Sequence, residues 1–80
     1  MARVCFPDNV LSYTAGVREA SIAAINYRDL LTALESRYPG IREKLDKASV
    51  AIDGLIYQDA FLEPLERDSE VHFLPRIEVG

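Results

Sequence analysis

The alternation of apolar and polar positions sets the first element. In RVCF (3–6), Val4 and Phe6 alternate with Arg3 and Cys5, which predicts a strand with one buried and one open face. Pro7 ends it, PDN is turn chemistry, and residues 7–16 read as a loop closing at Gly16. VREASIAAI (17–25) predicts a second strand with Ala20 and Ile22 inward and Glu19 and Ser21 outward. The period then changes. Tyr27, Leu30, Leu31, Leu34 and Tyr38 follow the helical repeat, so a helix is expected over 27–38. Asn26 is its N-cap and Asp29 the favourable first-turn carboxylate.

Pro39-Gly40 stops that helix, and IREKL (41–45) predicts one more short turn with Ile41 and Leu45 facing the core. SVAI (49–52) and LIYQ (55–58) predict strands joined by Asp53-Gly54, a strong hairpin dipeptide. DAFLEPLERDSE (59–70) reads as an irregular connection anchored by Phe61, Leu62 and Leu65. EVHFL (70–74) closes the series, with Val71 and Phe73 inward and His72 and Leu74 outward. One helix cannot cover both faces of a sheet, so the expected architecture is α+β, a single mixed sheet of four to five strands packed on one main helix. The first and last strands take the middle in the simplest such arrangement. The uncovered face then carries Arg3, Cys5, His72 and Leu74.

Composition agrees with this frame. Eighty residues, 49% hydrophobic and 28% charged, make one small globular domain. No apolar run approaches the roughly 20 residues a bilayer span needs, and MARVCFPDNV lacks the apolar stretch of a signal peptide. A net charge of −4 argues against nucleic acid as a partner. Acids concentrate between Asp53 and Glu70, either as a solvated surface or as a patch that steers the domain onto a basic partner.

Chemistry within the body is sparse. One cysteine permits no internal disulfide, and one cysteine with one histidine assemble no zinc site. A reducing cytoplasm is the expected compartment. Cys5 has no sequence neighbour that would activate it, and His72 has no paired nucleophile, so no catalytic residue is assigned. No phosphate-cradling glycine loop or metal-binding loop is present. The remaining feature is the end, PRIEVG. Pro75 cannot donate a ladder hydrogen bond and so helps terminate the last strand. Gly80 leaves its carboxylate unshielded by a side chain, which suits either a frayed end or an acyl group that another protein activates.

Taken together, NYRDLLTALESRYPGIREKL (26–45), VAIDGLIYQD (50–59) and LERDSEVHFLPRIEVG (65–80) resemble the ubiquitin-like sulfur carriers. These include the small subunit of molybdopterin synthase (MoaD) and the thiazole-pathway (ThiS) and cysteine-pathway carriers. The resemblance spans essentially the whole chain, and the length is closest to the MoaD type. It implies a β-grasp fold, with residues 1–75 as a single domain and 76–80 as a flexible tail. It implies that Gly80 is adenylated and converted to a thiocarboxylate for cofactor biosynthesis. Arg76, Ile77, Glu78 and Val79 would thread into the partner, with His72, Leu74 and Pro75 docking beside them. The implied partners are an adenylating enzyme related to ubiquitin-activating enzymes and a sulfur acceptor such as the molybdopterin synthase large subunit. ATP and magnesium belong to the activating partner, and the chain itself binds no cofactor. One departure stands out: Val79 occupies the place of the family's usual penultimate glycine. The alternative is therefore a ubiquitin-like interaction module without carrier chemistry.

Overall fold

Strand β1 (Ala2–Cys5) forms where the alternation predicts it, one residue earlier than expected because Ala2 is itself buried. The computed structural model describes residues 1–57 and 60–74. After β1 come β2 (Glu19–Ile22), helix α1 (Tyr27–Arg37), short helix α2 (Ile41–Leu45), β3 (Ser49–Ile52), β4 (Leu55–Tyr57) and β5 (Glu70–Leu74). The sheet order is β2-β1-β5-β3-β4. Only β1 and β5 run parallel; the other pairs are antiparallel. The first and last strands are thus interior, as the sequence suggested, and β5 lies at the centre.

Helix α1 begins where Asn26 Oδ1 accepts the Asp29 backbone N–H at 2.8 Å. Its stripe of Tyr27, Leu30, Leu31 and Leu34 is buried against Val4, Val50, Ile52, Val71 and Phe73 of the sheet. Burial of each such side chain contributes about 1.5–3 kcal/mol. Tyr38, expected as the last helical residue, is instead the C-cap, and its ring meets Phe6 edge-on at 5.7 Å.

The break at Pro39-Gly40 is also a clasp. Gly40 has φ 93°, a backbone conformation that disfavours side chains. Its N–H and that of Arg42 donate to the two carboxylate oxygens of Glu35, at 2.6 and 3.1 Å. Glu35 of α1 thereby caps the start of α2. A Cβ on Gly40 would lie 3.2 Å from the Tyr13 ring, so the early loop is pinned here as well. That loop is more ordered than a bare connection. It contains a 3-10 turn at Asp8–Val10 and buries Val10 and Thr14.

Two expectations change. The second strand covers 19–22 rather than 17–25, because β1 offers partners only from Ala2↔Ile22 to Cys5↔Glu19. Residues 25–27 turn to another neighbour: Leu65 N–H donates to Ile25 O at 3.0 Å and Tyr27 N–H to Glu63 O at 2.9 Å. Within the 59–70 connection, Phe61 and Leu62 are not core anchors. Both are exposed, Leu62 at 76%, and the Arg28 guanidinium lies 5.9 Å from the Phe61 ring centroid. Leu65 is buried as expected, together with Ala60. The fourth strand is described to Tyr57, and Gln58 lies outside the described residues.

The hairpin prediction holds. Asp53 and Gly54 have φ 51° and 87°, as a type I′ turn requires. Asp53 does more than turn the chain. Its carboxylate accepts Ser69 Oγ–H and Glu70 N–H, both at 2.9 Å, while buried Ser69 Oγ accepts Glu66 N–H at 2.8 Å. The β3–β4 turn is thereby tied to the start of β5. Ser69→Ala leaves the Glu66 donor and an Asp53 oxygen without this partner and is expected to cost about 1–3 kcal/mol. Urea denaturation measures it; an unshifted midpoint would show the tie to be redundant.

Candidate functional site

Alternation places the large apolar side chains of the three inner strands under α1 and leaves the second sheet face open. Cross-strand register sets what that face carries. Glu19, Cys5, His72, Ala51 and Ile56 are successive partners across all five strands. Ser21, Arg3 and Glu70 form a parallel row on one side, and Leu74 with Ser49 lies on the other.

The face is divided electrostatically. Arg3 Nε lies 3.3 Å from Glu19 Oε1, and the same guanidinium also pairs with Glu70. Two carboxylates thus share one cation across three strands. These groups are about half exposed, so their pairing contributes little to stability. Its consequence is an ionic patch with one net negative charge over β2, β1 and the start of β5. His72 Nε2 is 3.7 Å from Glu70 Oε2, at the boundary. Beyond it, Ala51, Ile56 and Leu74 make an apolar half that runs to the end of β5. Where the hairpin turn meets the start of β5, Asp53, Glu66, Arg67, Asp68 and Ser69 line one surface hollow, and the N-terminal ammonium donates to Arg67 O close by.

The predicted docking residues His72 and Leu74 both lie on this face, half-buried. Pro75, the proposed threading residues Arg76, Ile77, Glu78 and Val79, and the proposed acyl site Gly80 lie outside the described residues. Sequence reading did not place Ala51 and Ile56 on the face. The signal was present: a two-residue Asp53-Gly54 turn pairs residue 52 with 55 and therefore 51 with 56. What was missing was the order of strands, which brings that pair beside His72.

Cys5 and His72 are Cα partners, yet the thiol turns to Glu19, with Sγ 3.7 Å from Oε1. Burial, then the Glu19 charge and hydrogen bond, push the Cys5 thiol above its ordinary range, although Arg3 opposes the shift. A nucleophilic cysteine needs the reverse. Alkylation of the folded protein by iodoacetamide at pH 8 is expected to run several-fold slower than that of the urea-unfolded chain. An equal or faster rate in the folded state would refute the shielding. The same shift makes the folded chain hold this proton longer than the unfolded one. Its contribution to stability therefore declines as pH rises past the unfolded thiol pKa, about 8.5.

Among the described residues no cluster of three or more His, Cys, Asp or Glu side chains could hold a metal ion, and no helix is long and apolar enough to cross a membrane. Another surface hollow is lined by Met1, Ala23, Ala24, Ile25 and Leu65, with Asp29, Glu66 and Arg67 at its charged side. It lies toward the start of β5, away from Leu74, and touches none of the open-face residues.

No protein-family model matches the chain, and no curated protein matches it in sequence. Solved structures do match in three dimensions. The crystal structure of the BexX/CysO complex of Amycolatopsis orientalis contains a chain of TM-score 0.88 and 16% identity, with all of both chains covered. The solution structure of small archaeal modifier protein 1 from Methanosarcina acetivorans matches at TM-score 0.81 and 18% identity, over 99% of this chain and 95% of that one. In the complex of subunits 1 and 2 of molybdopterin-converting factor from Helicobacter pylori, one chain matches at TM-score 0.67 and 19% identity, over 99% and 97%. Likeness at these identities establishes the β-grasp fold.

Proposed function

We propose that this β-grasp protein is a sulfur carrier of the molybdopterin type, acting in a reducing cytoplasm. The observation that carries the reading is positional. The six residues PRIEVG follow directly on β5, which is held on both sides by β1 and β3 and ends beside the apolar half of the open face. A partner that docks on Ile56, Ala51 and Leu74 thus grips the rigid body next to where the tail begins. The fold shared with CysO, with small archaeal modifier protein 1 and with a molybdopterin-converting factor subunit supports the same reading. So do the complexes of two of them with BexX and with the second converting-factor subunit.

In this mechanism the chain is a co-substrate. An adenylating enzyme supplies ATP and magnesium, and the Gly80 carboxylate attacks the α-phosphate with loss of pyrophosphate. The resulting acyl-adenylate is a good acyl donor. Hydrosulfide supplied by the donor system attacks the acyl carbon and displaces AMP, leaving a thiocarboxylate for delivery to a biosynthetic acceptor. Docking residues His72 and Leu74 fix the body while Arg76, Ile77, Glu78 and Val79 extend to the active site. The test is intact-mass analysis after incubation with the cognate activating enzyme, ATP and a sulfur donor. Replacement of one terminal oxygen by sulfur is the expected product, and an unchanged mass with an enzyme active on its own carrier would refute the reading.

Val79 favours a second reading, a ubiquitin-like interaction module whose tail is not activated. A β-branched side chain is stiff and bulky beside the reacting carbonyl. If sterics at this position limit activation, Val79→Gly speeds adenylation roughly tenfold, equivalent to about 1.4 kcal/mol of barrier. Pyrophosphate release measures it. An unchanged or slower rate would remove the steric account.

A further inference from the structure

The dipeptide that turns the hairpin carries a chemical liability. Asp53 and Gly54 take φ 51° and 87°, and glycine suits the second position because it has no side chain. The same lack of a side chain leaves the Gly54 nitrogen unhindered as a nucleophile toward the Asp53 carboxyl carbon, with which it can close a five-membered ring. The surroundings do not shield the pair. Both residues are exposed, and a Cβ at Gly54 would meet no atom beyond its chain neighbours within 4 Å.

What the structure supplies is a restraint on the electrophile. Asp53 Oδ1 accepts the Glu70 N–H and Oδ2 the Ser69 Oγ–H, both at 2.9 Å. Ser69 is buried, and its Oγ accepts the Glu66 N–H at 2.8 Å, so the hydroxyl is itself held in place. The Asp53 N–H donates to Glu70 O at 2.9 Å, which fixes the backbone on the same partner. These bonds draw the carboxylate toward β5, on the side of β3 opposite β4.

We propose that Asp53-Gly54 is a latent site of aspartyl isomerisation, held closed in the folded protein by the hydrogen bonds from Ser69 and Glu70. The reaction is an internal condensation. Gly54 N bonds to Asp53 Cγ, while its proton, one carboxylate oxygen and a proton from solvent leave as water. Water then reopens the imide. Where it adds at the former peptide carbonyl, the chain runs on through Asp53 Cβ and Cγ. Nothing is oxidised or reduced, and the product has the mass of the starting protein. Ring closure expels one of the two bonded oxygens and draws Cγ onto Gly54 N, so both hydrogen bonds oppose it. The isomerised turn carries an extra backbone carbon, which the I′ geometry does not accommodate. Its free carboxylate then sits directly on Cα, one bond shorter in reach toward Ser69 and Glu70. The pairing that sets Ala51 opposite Ile56 thereby loses its turn. Gly80 takes no part, so the site is independent of the carrier reading.

The experiment is incubation of the full chain at 37 °C and neutral pH, with isoaspartate at position 53 followed by electron-transfer fragmentation of the tryptic peptide 48–67. The reference is the same chain unfolded in guanidinium chloride. Folded wild type should isomerise at least about tenfold more slowly than this reference. Ser69→Ala should speed the folded reaction by about tenfold. Global unfolding contributes the unfolded fraction, from urea denaturation, multiplied by the reference rate. Ser69→Ala should exceed wild type by more than that product. Leu34→Ala, which leaves the tie in place, should exceed wild type by no more than its own product. If Ser69→Ala fails to fold, Ser69→Cys serves instead, a weaker donor of similar size. A folded wild type less than about tenfold slower than the reference overturns the proposal. So does a Ser69 variant no faster than wild type after the unfolding correction. An excess in Leu34→Ala beyond its unfolded fraction would place the protection in global packing and overturn the proposal likewise.

Discussion

Deletion of Gly80 is expected to leave the folded domain unchanged and to reduce acyl activation below detection. The two halves of that expectation have different causes. Among the described residues, the last pairs of β5 are Ser49↔Leu74 on one side and Cys5↔His72 on the other. Among the described residues, the core runs from Ala2 to Phe73. Circular dichroism and a urea midpoint indistinguishable from the full chain are therefore expected. The loss of activation follows from chemistry. Deletion moves the reacting carboxylate onto Val79 and shortens the reach by one residue, at most about 3.6 Å. In a site that must bring a carboxylate to within bonding distance of phosphorus, misplacement by about 1 Å can already cost on the order of a hundredfold. The measurement is the mass assay described above. A truncated chain that unfolds would make the tail structural, and one that still exchanges oxygen for sulfur would move the acyl site elsewhere.

The second large effect concerns the body. Leu34 is wholly buried on α1 and sits in the cluster that joins the helix to the sheet and to α2. Leu34→Ala should cost about 2–5 kcal/mol from lost transfer energy and the cavity left behind. A domain of this size holds roughly 4–12 kcal/mol in total, so the variant is expected to be marginal or partly unfolded at 37 °C. A urea midpoint lowered with the slope unchanged is the expected record. A loss under about 1 kcal/mol would mean that the helix packs loosely on the sheet. Carrier activity should fall only in proportion to the folded fraction, because Leu34 is remote from the open face.

Legibility varied along the chain for identifiable reasons. Helix α1, its Asn26 cap, the Asp53-Gly54 turn and the alternating β5 were readable because each is fixed by residues within a few positions. The second strand was overestimated because its length depends on β1, a partner some 17 residues away, and nothing local limits it. Phe61 and Leu62 were misassigned because hydrophobicity alone does not separate a core anchor from an exposed side chain. Ala60 and Ser69 carry the packing and the tie that those two were expected to supply. Of the open face, His72 and Leu74 came from alternation alone. Ala51, Ile56 and the shared Arg3–Glu19–Glu70 pairing required knowing which strands are neighbours.

The sequence by itself determined helix α1 with its cap, the hairpin turn and the inward and outward faces of β1 and β5, because side-chain periodicity and turn chemistry are local. Strand order, and with it the division of the open face into an ionic and an apolar half, was decided only by the tertiary structure. The reason is physical: long-range pairing places β1 and β3 on either side of β5, and no short-range preference specifies which strand lies beside which.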